Sequence, residues 1–245
     1  MRPMTTERPS KNSSSYIIDV GHLQIESTLY SFTINKNSQQ KLKQRSVFDS
    51  TTFRVGITKD SEISLVVTPF IWQKTRDRQT AQSNNIKTND DVLVRYKKNI
   101  FGGDATKNGG SLAMMPYLKI PASGSNYSNN HYEGGLKTHY DHKFDSYLLS
   151  YLFDVSAIRK TDNSSYSALV GNIIDLGKNI TPNLYTYVEV ASYKSSQEKT
   201  AAKNYLDFGM IYQINKNLTV DAVANFGVSK AAEDFNFITG FAYRF

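Results

Sequence analysis

From Tyr16 to the C-terminus, apolar and polar residues alternate with a period of two. The last three segments show it best. In 204–214, Phe208, Met210, Tyr212 and Ile214 share one face, and Asp207, Gly209, Ile211 and Gln213 share the other. In 218–230, Leu218, Val220, Ala222, Ala224, Phe226 and Val228 oppose Thr219, Asp221, Asn225 and Gly227. In 235–245, Phe235, Phe237, Phe241, Tyr243 and Phe245 oppose Asn236, Gly240 and Arg244. Alternate side chains of a strand point to opposite faces, so this is a β pattern. No stretch of eleven residues carries a convincing helical period. The alternation predicts twelve strands, at 21–35, 50–59, 62–74, 90–100, 111–121, 133–144, 147–160, 166–176, 184–194, 204–214, 218–230 and 235–245.

The connections differ in length. Residues 59–61, 145–146, 179–183 and 215–217 are short and rich in Asn, Asp and Pro, which form turns. Residues 36–49, 75–89, 102–110, 123–132 and 195–203 are longer and polar. Short turns at one end and long loops at the other describe an up-and-down barrel. Pro69 and Pro116 fall inside the third and fifth segments, where each removes a ladder donor. A bulge is expected at each.

A soluble sandwich would alternate in the same way with its apolar face inward. Strand length separates the two. Strands of globular proteins average about five or six residues, whereas strands of about ten cross a bilayer at a tilt. Tyr and Phe also fall near the ends of the apolar faces, where a membrane interface places them. The expected fold is all-β: a transmembrane antiparallel up-and-down β-barrel of about 12 strands, an even number as in single-chain bacterial barrels. Residues 16–245 would form the barrel, and the polar stretch 1–15 would be a disordered lead.

Composition agrees. Hydrophobic residues make up 39% of the chain and the mean hydropathy is −0.46, as expected when only alternate residues face lipid. Sixteen Tyr and 13 Phe accompany a single Trp, and Tyr suits a boundary with its apolar ring and polar tip. No apolar run approaches the length of a transmembrane helix, so closure of a sheet is the way for this chain to cross a bilayer. The absence of Cys excludes thiolate zinc sites, disulfides and cysteine catalysis. The net charge is +7, but Lys and Arg are scattered without a basic run, so nucleic acid is not an expected partner. The start of the chain has no apolar signal core, although an outer-membrane protein needs a signal peptide.

Several stretches resemble one family. Thr6-Glu7-Arg8-Pro9-Ser10, followed by Tyr16-Ile17-Ile18-Asp19-Val20-Gly21-His22-Leu23-Gln24-Ile25-Glu26, is similar to the start of outer-membrane proteins of the phenol-degradation meta-pathway type. Those have an Asp before the Arg-Pro pair, where this chain has Glu7. Glu133-Gly134-Gly135-Leu136, Tyr205-Leu206-Asp207-Phe208-Gly209, Asn217-Leu218-Thr219-Val220-Asp221 and Gly240-Phe241-Ala242-Tyr243-Arg244-Phe245 resemble later parts of the same family. Glu189 falls where the family often has an acidic residue, and His22 belongs to the opening motif. The resemblance implies a channel or transporter of the Gram-negative outer membrane, with weak support for hydrophobic or aromatic solutes. The ending with Phe241, Tyr243 and Phe245 resembles the recognition signal for barrel-assembly machinery.

Alternation places Glu26, Arg54, Glu62, Arg95, Lys97, Lys119, Asp154, Glu189, Asp207, Asp221 and Arg244 inward. These charges would line a lumen and set its selectivity, or pair across it and fill it. Tyr30, Tyr185, Tyr187 and Tyr193 also fall on inward positions, as packing residues or as a stacking surface for an aromatic solute. His139 and His142, with Asp141 between them, invite a metal, but residues three apart on a strand face opposite sides. No metal or cofactor is expected. No Gly-x-Ser-x-Gly elbow is present, so the chain reads as a non-enzyme. The leading function is passive passage of small molecules, with outer-membrane lipid, the assembly machinery and the solute as partners. An occluded structural or surface-interaction barrel is the second reading, and a lipid-modifying barrel enzyme the third.

Overall fold

The computed structural model describes residues 2–36, 40–47, 50–77, 80–122, 130–160, 165–197 and 200–245. The strands, in chain order, are β1 (Leu23–Lys36), β2 (Gln40–Val47), β3 (Thr51–Thr58), β4 (Ser61–Val67), β5 (Ile71–Asp77), β6 (Ser83–Thr88), β7 (Val92–Phe101), β8 (Gly109–Ile120), β9 (Glu133–Phe144), β10 (Tyr147–Arg159), β11 (Tyr166–Thr181), β12 (Leu184–Ser195), β13 (Lys203–Asn215), β14 (Leu218–Gly227) and β15 (Phe235–Arg244). All pairings between them are antiparallel. The sheet closes where β1 pairs with β15, from Gln24 opposite Arg244 to Ile34 opposite Phe235.

Three barrel strands are broken in the middle. The first half of β1 pairs with β3 and its second half with β2, so β2 and β3 are two halves of one strand. β4 and β5 are likewise separated at 68–70, around Pro69, and β6 and β7 at 89–91. Counting each broken pair once gives a closed barrel of twelve spanning strands. The upper halves β2, β5 and β6 continue outward from β1, and β6 ends the sheet.

β2 and β6 occupy stretches expected to be connections. At Pro69 the strand is broken rather than bulged, and the bulge expected at Pro116 does not occur. Pro116 stays in register opposite Leu136 with its ring on the exposed outer face. The register shift between β7 and β8 lies instead at Asn99 and Phe101.

The two faces of the barrel are inverted relative to a water-soluble protein. On β11, Ile174 and Leu176 are 52% and 47% exposed, while their neighbours Ile173 and Asp175 are 1% and 7% exposed. Phe208, Met210, Tyr212 and Ile214 of β13 are all exposed, whereas Asp207 is buried. An apolar outer surface around a charged interior is the arrangement a bilayer requires. It excludes the sandwich, and the chain is a bacterial outer-membrane β-barrel.

Up-and-down connectivity fixes the ends. Turns 59–60, 145–146, 182–183 and 216–217 lie at one end, which is periplasmic in such barrels. Residues 102–108, expected among the long loops, lie at this same end. Segments 121–132, 160–165, 196–202 and 228–234 connect strands at the other end. Both the entry into β1 and the C-terminal Phe245 sit at the short-turn end.

Candidate functional site

Strand alternation turns a ring of charged side chains into the lumen, and the strand order separates their signs. Arg54 on β3, Arg95 and Lys97 on β7, Lys119 on β8 and Lys137 on β9 form a basic arc. Asp141 on β9, Asp154 on β10, Asp175 on β11, Glu189 on β12, Asp207 on β13 and Asp221 on β14 form an acidic arc. Glu26 and Glu62 sit beside Arg54 and compensate it. The Arg54 guanidinium meets Glu62 in a two-pronged contact, Nε to Oε1 and Nη2 to Oε2, both at 2.9 Å. Its Nη1 donates to Glu26 Oε1 at 2.7 Å. All three side chains are buried, so this cluster pairs charge in a low-dielectric interior.

The eleven charged residues expected to face inward all do so. Glu26, Arg54, Glu62, Arg95, Lys97, Glu189, Asp207, Asp221 and Arg244 are buried. Lys119 lies nearer the long-loop rim, with Nζ 2.7 Å from Glu133 and 3.2 Å from Asp91. Asp154 accepts a hydrogen bond from Tyr117 at 3.0 Å. Tyr187 is buried, and Tyr185 and Tyr193 share its strand face. Tyr30 does not, because the register of β1 against β15 shifts between Thr28 and Tyr30. That shift turns its ring to the exposed face. His139 faces inward and donates from Nδ1 to the Ser13 carbonyl at 2.8 Å. His142 faces outward beside Tyr140, so the two do not converge.

The lumen holds the N-terminal segment. Residues 2–15 of the lead, expected to be disordered, run inside the lumen in contact with its wall. Residues 2–22 enter at the short-turn end, climb to mid-lumen and return. At the entrance, Arg2 pairs with Asp19 at 2.8 Å, and Arg244 donates to the Arg2 carbonyl at 3.0 Å. Higher up, the Glu7 amide donates to Glu26 at 2.8 Å, and Arg8 pairs with Asp221 at 3.0 Å. Lys11 pairs with Asp207 at 2.5 Å. The amides of Lys11 and Asn12 donate to the two oxygens of Glu189 at 3.0 and 2.9 Å. On the descent, Ser15 bonds Asp141 through its amide at 2.7 Å, and the Ile18 amide donates to Glu62 at 3.0 Å. Gly56 permits the returning limb to lie against β3, since a Cβ there would stand 2.3 Å from the Asp19 carbonyl oxygen.

These contacts reach the wall around its circumference, so the segment blocks the lumen. A polar chain fits here because its surroundings are equally polar: its amides and cationic side chains meet wall carboxylates, hydroxyls and carbonyls. Glu7 shows the electrostatic fit. Burial pushes its carboxyl up, but Arg95, Lys97 and Arg54 outweigh burial and hold it well below the usual carboxylate range. At the entrance, burial raises the Asp19 carboxyl, and the hydrogen bonds and charge of Arg2 together overcome that and lower it.

Above the charged level, Leu152, Ile173, Ala191, Tyr205 and Ala232 pack with Tyr193 into an apolar layer. Ala232 comes from connection 228–234, which folds into the mouth and is tied down by Lys203 and Glu233 at 2.9 Å. Below it, between the segment and the acidic arc, a cavity of 460 Å³ opens toward the short-turn end. Tyr16, Tyr185, Tyr187, Met4, Asp141 and Asp175 are among its lining residues.

Sequence reasoning left Lys137 and Asp175 out of the lumen wall and weighed His139 and Asp141 only as metal ligands, although their spacing carries the same period-two signal. It also missed Glu7, Arg8, Lys11, Asn12 and Ser15, for which no periodic signal exists. At the C-terminus, the Tyr243 and Phe245 rings meet edge to face at 4.7 Å, and the Phe245 amide donates to the Leu23 carbonyl at 2.8 Å.

Comparison with curated proteins gives no match. Solved structures similar to this chain include the NanC porin, with a TM-score of 0.57 and 8% identity over 90% of this chain and 98% of that one. The translocator domain of the autotransporter NalP from Neisseria meningitidis gives 0.56, at 10% identity over 93% and 90%. The β domain of the Bordetella autotransporter BrkA gives 0.51, at 10% identity over 93% and 100%. At these identities the likeness is one of fold. The sequence itself says more: the family described as the MetA-pathway of phenol degradation matches residues 6–245. With its opening and closing motifs inside that match, the chain belongs to the MetA-pathway of phenol degradation family.

Proposed function

We propose that the protein is an outer-membrane channel for passive passage of small molecules, closed in this structure by its own residues 2–22. The observation that carries this reading is the nature of the filling. Below the apolar layer of wall side chains, the lumen is occupied by an irregular segment held mainly through polar contacts. Apart from residues 20–22, which bond the Gly56 backbone of β3, such a segment can leave without breaking backbone bonds to the barrel strands. The 460 Å³ cavity beside it lies in the range of small-molecule sites, and Tyr16, Tyr185 and Tyr187 give it aromatic walls. Small hydrophobic or aromatic solutes suit that surface, in keeping with the family description. The charged groups of the two arcs act as selectivity residues once the segment moves, and the protein works as a conduit, not as a catalyst.

The test is single-channel recording of the refolded full-length chain in planar bilayers, with solute uptake into loaded vesicles alongside. Discrete current steps and uptake are expected. Silence in both, from protein with a β-barrel circular dichroism spectrum, would overturn the channel reading. It would favour an occluded structural barrel, a reading supported by the Arg54 cluster, which pairs wall to wall without the segment.

A further inference from the structure

The basic arc contains two cations that differ from Arg54. Arg54 has carboxylates of the wall on either side. Arg95 and Lys97 instead converge on a carboxylate of the inserted segment. Arg95 Nη2 lies 2.8 Å from Glu7 Oε2, and Lys97 Nζ contacts Glu7 Oε1. Arg95 Nε also donates to Ser64 Oγ of the wall at 2.9 Å, whereas the other hydrogen bond of Lys97 Nζ, to the Ser14 carbonyl at 2.8 Å, is again to the inserted segment. The wall carboxylate nearest Lys97 is Glu62, at 3.5 Å and already engaged by Arg54. Lys97 is 1% exposed and Arg95 8%.

When the segment withdraws, Glu7 leaves with it. Two cations then stand side by side in a narrow lumen without their anion, and their field draws an anion from solution. The geometry left behind, a planar guanidinium beside an ammonium, is matched to a carboxylate. We propose that Arg95 and Lys97 form a carboxylate-binding site of the lumen, which the chain's own Glu7 occupies and which a small organic carboxylate takes in its place. The site rests on the channel reading for its use in transport, but its binding chemistry stands without it. A ligand that binds only the segment-out state also shifts the population toward that state. A carboxylate solute is therefore both passenger and opener.

Propionate is the probe, with neutral propionamide as the control. Isothermal titration of the full-length protein in detergent compares wild type with Glu7→Gln, which keeps the segment and removes its anion. Propionate should bind Glu7→Gln at least tenfold more tightly than wild type. Adding Arg95→Gln and Lys97→Gln should abolish that binding, and propionamide should not bind. Equal affinity in wild type and Glu7→Gln, or binding that survives loss of both cations, overturns the site. A second measurement needs no change at Glu7. The chain has no Cys, and Ser15 is fully buried, so Ser15→Cys reports withdrawal through maleimide labelling. Sodium propionate should speed labelling several-fold over sodium chloride at equal ionic strength, and equal rates in the two salts overturn the proposal. Propionate binding by a protein that is silent in bilayers refutes the channel reading alone. Conductance in a protein indifferent to propionate refutes the site alone.

Discussion

Ser15 of the inserted segment and Ser111 of β8 lie Oγ to Oγ at 2.7 Å, both buried and both in contact with the same lumen. The pair joins a removable part to a fixed one. Replacing both by Cys places two sulfurs within reach of a disulfide, in a chain with no other thiol. Oxidised, this double variant should lose both current and solute uptake, and reduction should restore them. Equal conductance in the oxidised and reduced forms would show that solutes pass without displacement of residues 2–22.

Why the segment escaped notice in the sequence, while the barrel did not, has a physical cause. Alternation betrays a strand only where its two faces meet different solvents. On β13, Asp207 faces the lumen and Phe208 the lipid, so the pattern is sharp. On β2, the sequence QKLKQRSV is polar on both faces, and no contrast marks it. Tyr30 was misplaced because one register shift in β1 reverses every side chain beyond it. Residues 2–15 look like a solvated tail because the lumen that receives them is itself polar. Lys11 and Asn12 satisfy the same groups there that water would satisfy in a disordered chain. The eleven charged wall residues were legible from period two alone, but their partners were not, since Arg8 and Asp221 are 213 positions apart.

Arg54 provides a test of the wall's own pairing. Replacing it by Met removes one cation and leaves Glu26 and Glu62 buried without it. Breaking a buried ion pair by removing one partner costs about 3–5 kcal/mol. The Arg54→Met barrel should lose stability of that order in reversible urea unfolding from lipid vesicles. A Glu26→Gln, Arg54→Met, Glu62→Gln triple variant should recover much of it, since no charge is then stranded. A single variant as stable as wild type would mean that water reaches this cluster freely.

Gly209 of β13 lies opposite Tyr187 of β12. A Cβ at Gly209 would stand 2.2 Å from the Tyr187 ring. The bare backbone of the glycine is what lets the ring lie flat over the neighbouring strand, where it lines the 460 Å³ cavity. Gly209→Ala should therefore push Tyr187 into the cavity and cost about 1–3 kcal/mol, the range for overpacking. Conductance of the open form should fall as the cavity narrows. Gly209→Ala combined with Tyr187→Phe should remain impaired, because the clash is with the ring itself. Unchanged stability and conductance would show that the ring has another resting place.

The outer face supplies the test of the membrane assignment. Val190 lies midway along β12 and is 55% exposed, and its outward neighbour Val188 is 45% exposed. In water, an exposed Val to Arg change away from special features alters stability by about 0.5 kcal/mol or less. At the bilayer midplane of a transmembrane barrel, Arg on the lipid face costs about 2–4 kcal/mol. The cost should fall toward zero at the interfaces, so Val190→Arg and Tyr212→Arg, the latter near the short-turn end of β13, should differ clearly. Unfolding in lipid vesicles measures both. Two equal and small effects would mean that this face is not the one that meets the hydrocarbon. A large cost at Val190 with a small one at Tyr212 fixes the depth of the barrel in the bilayer from two side chains.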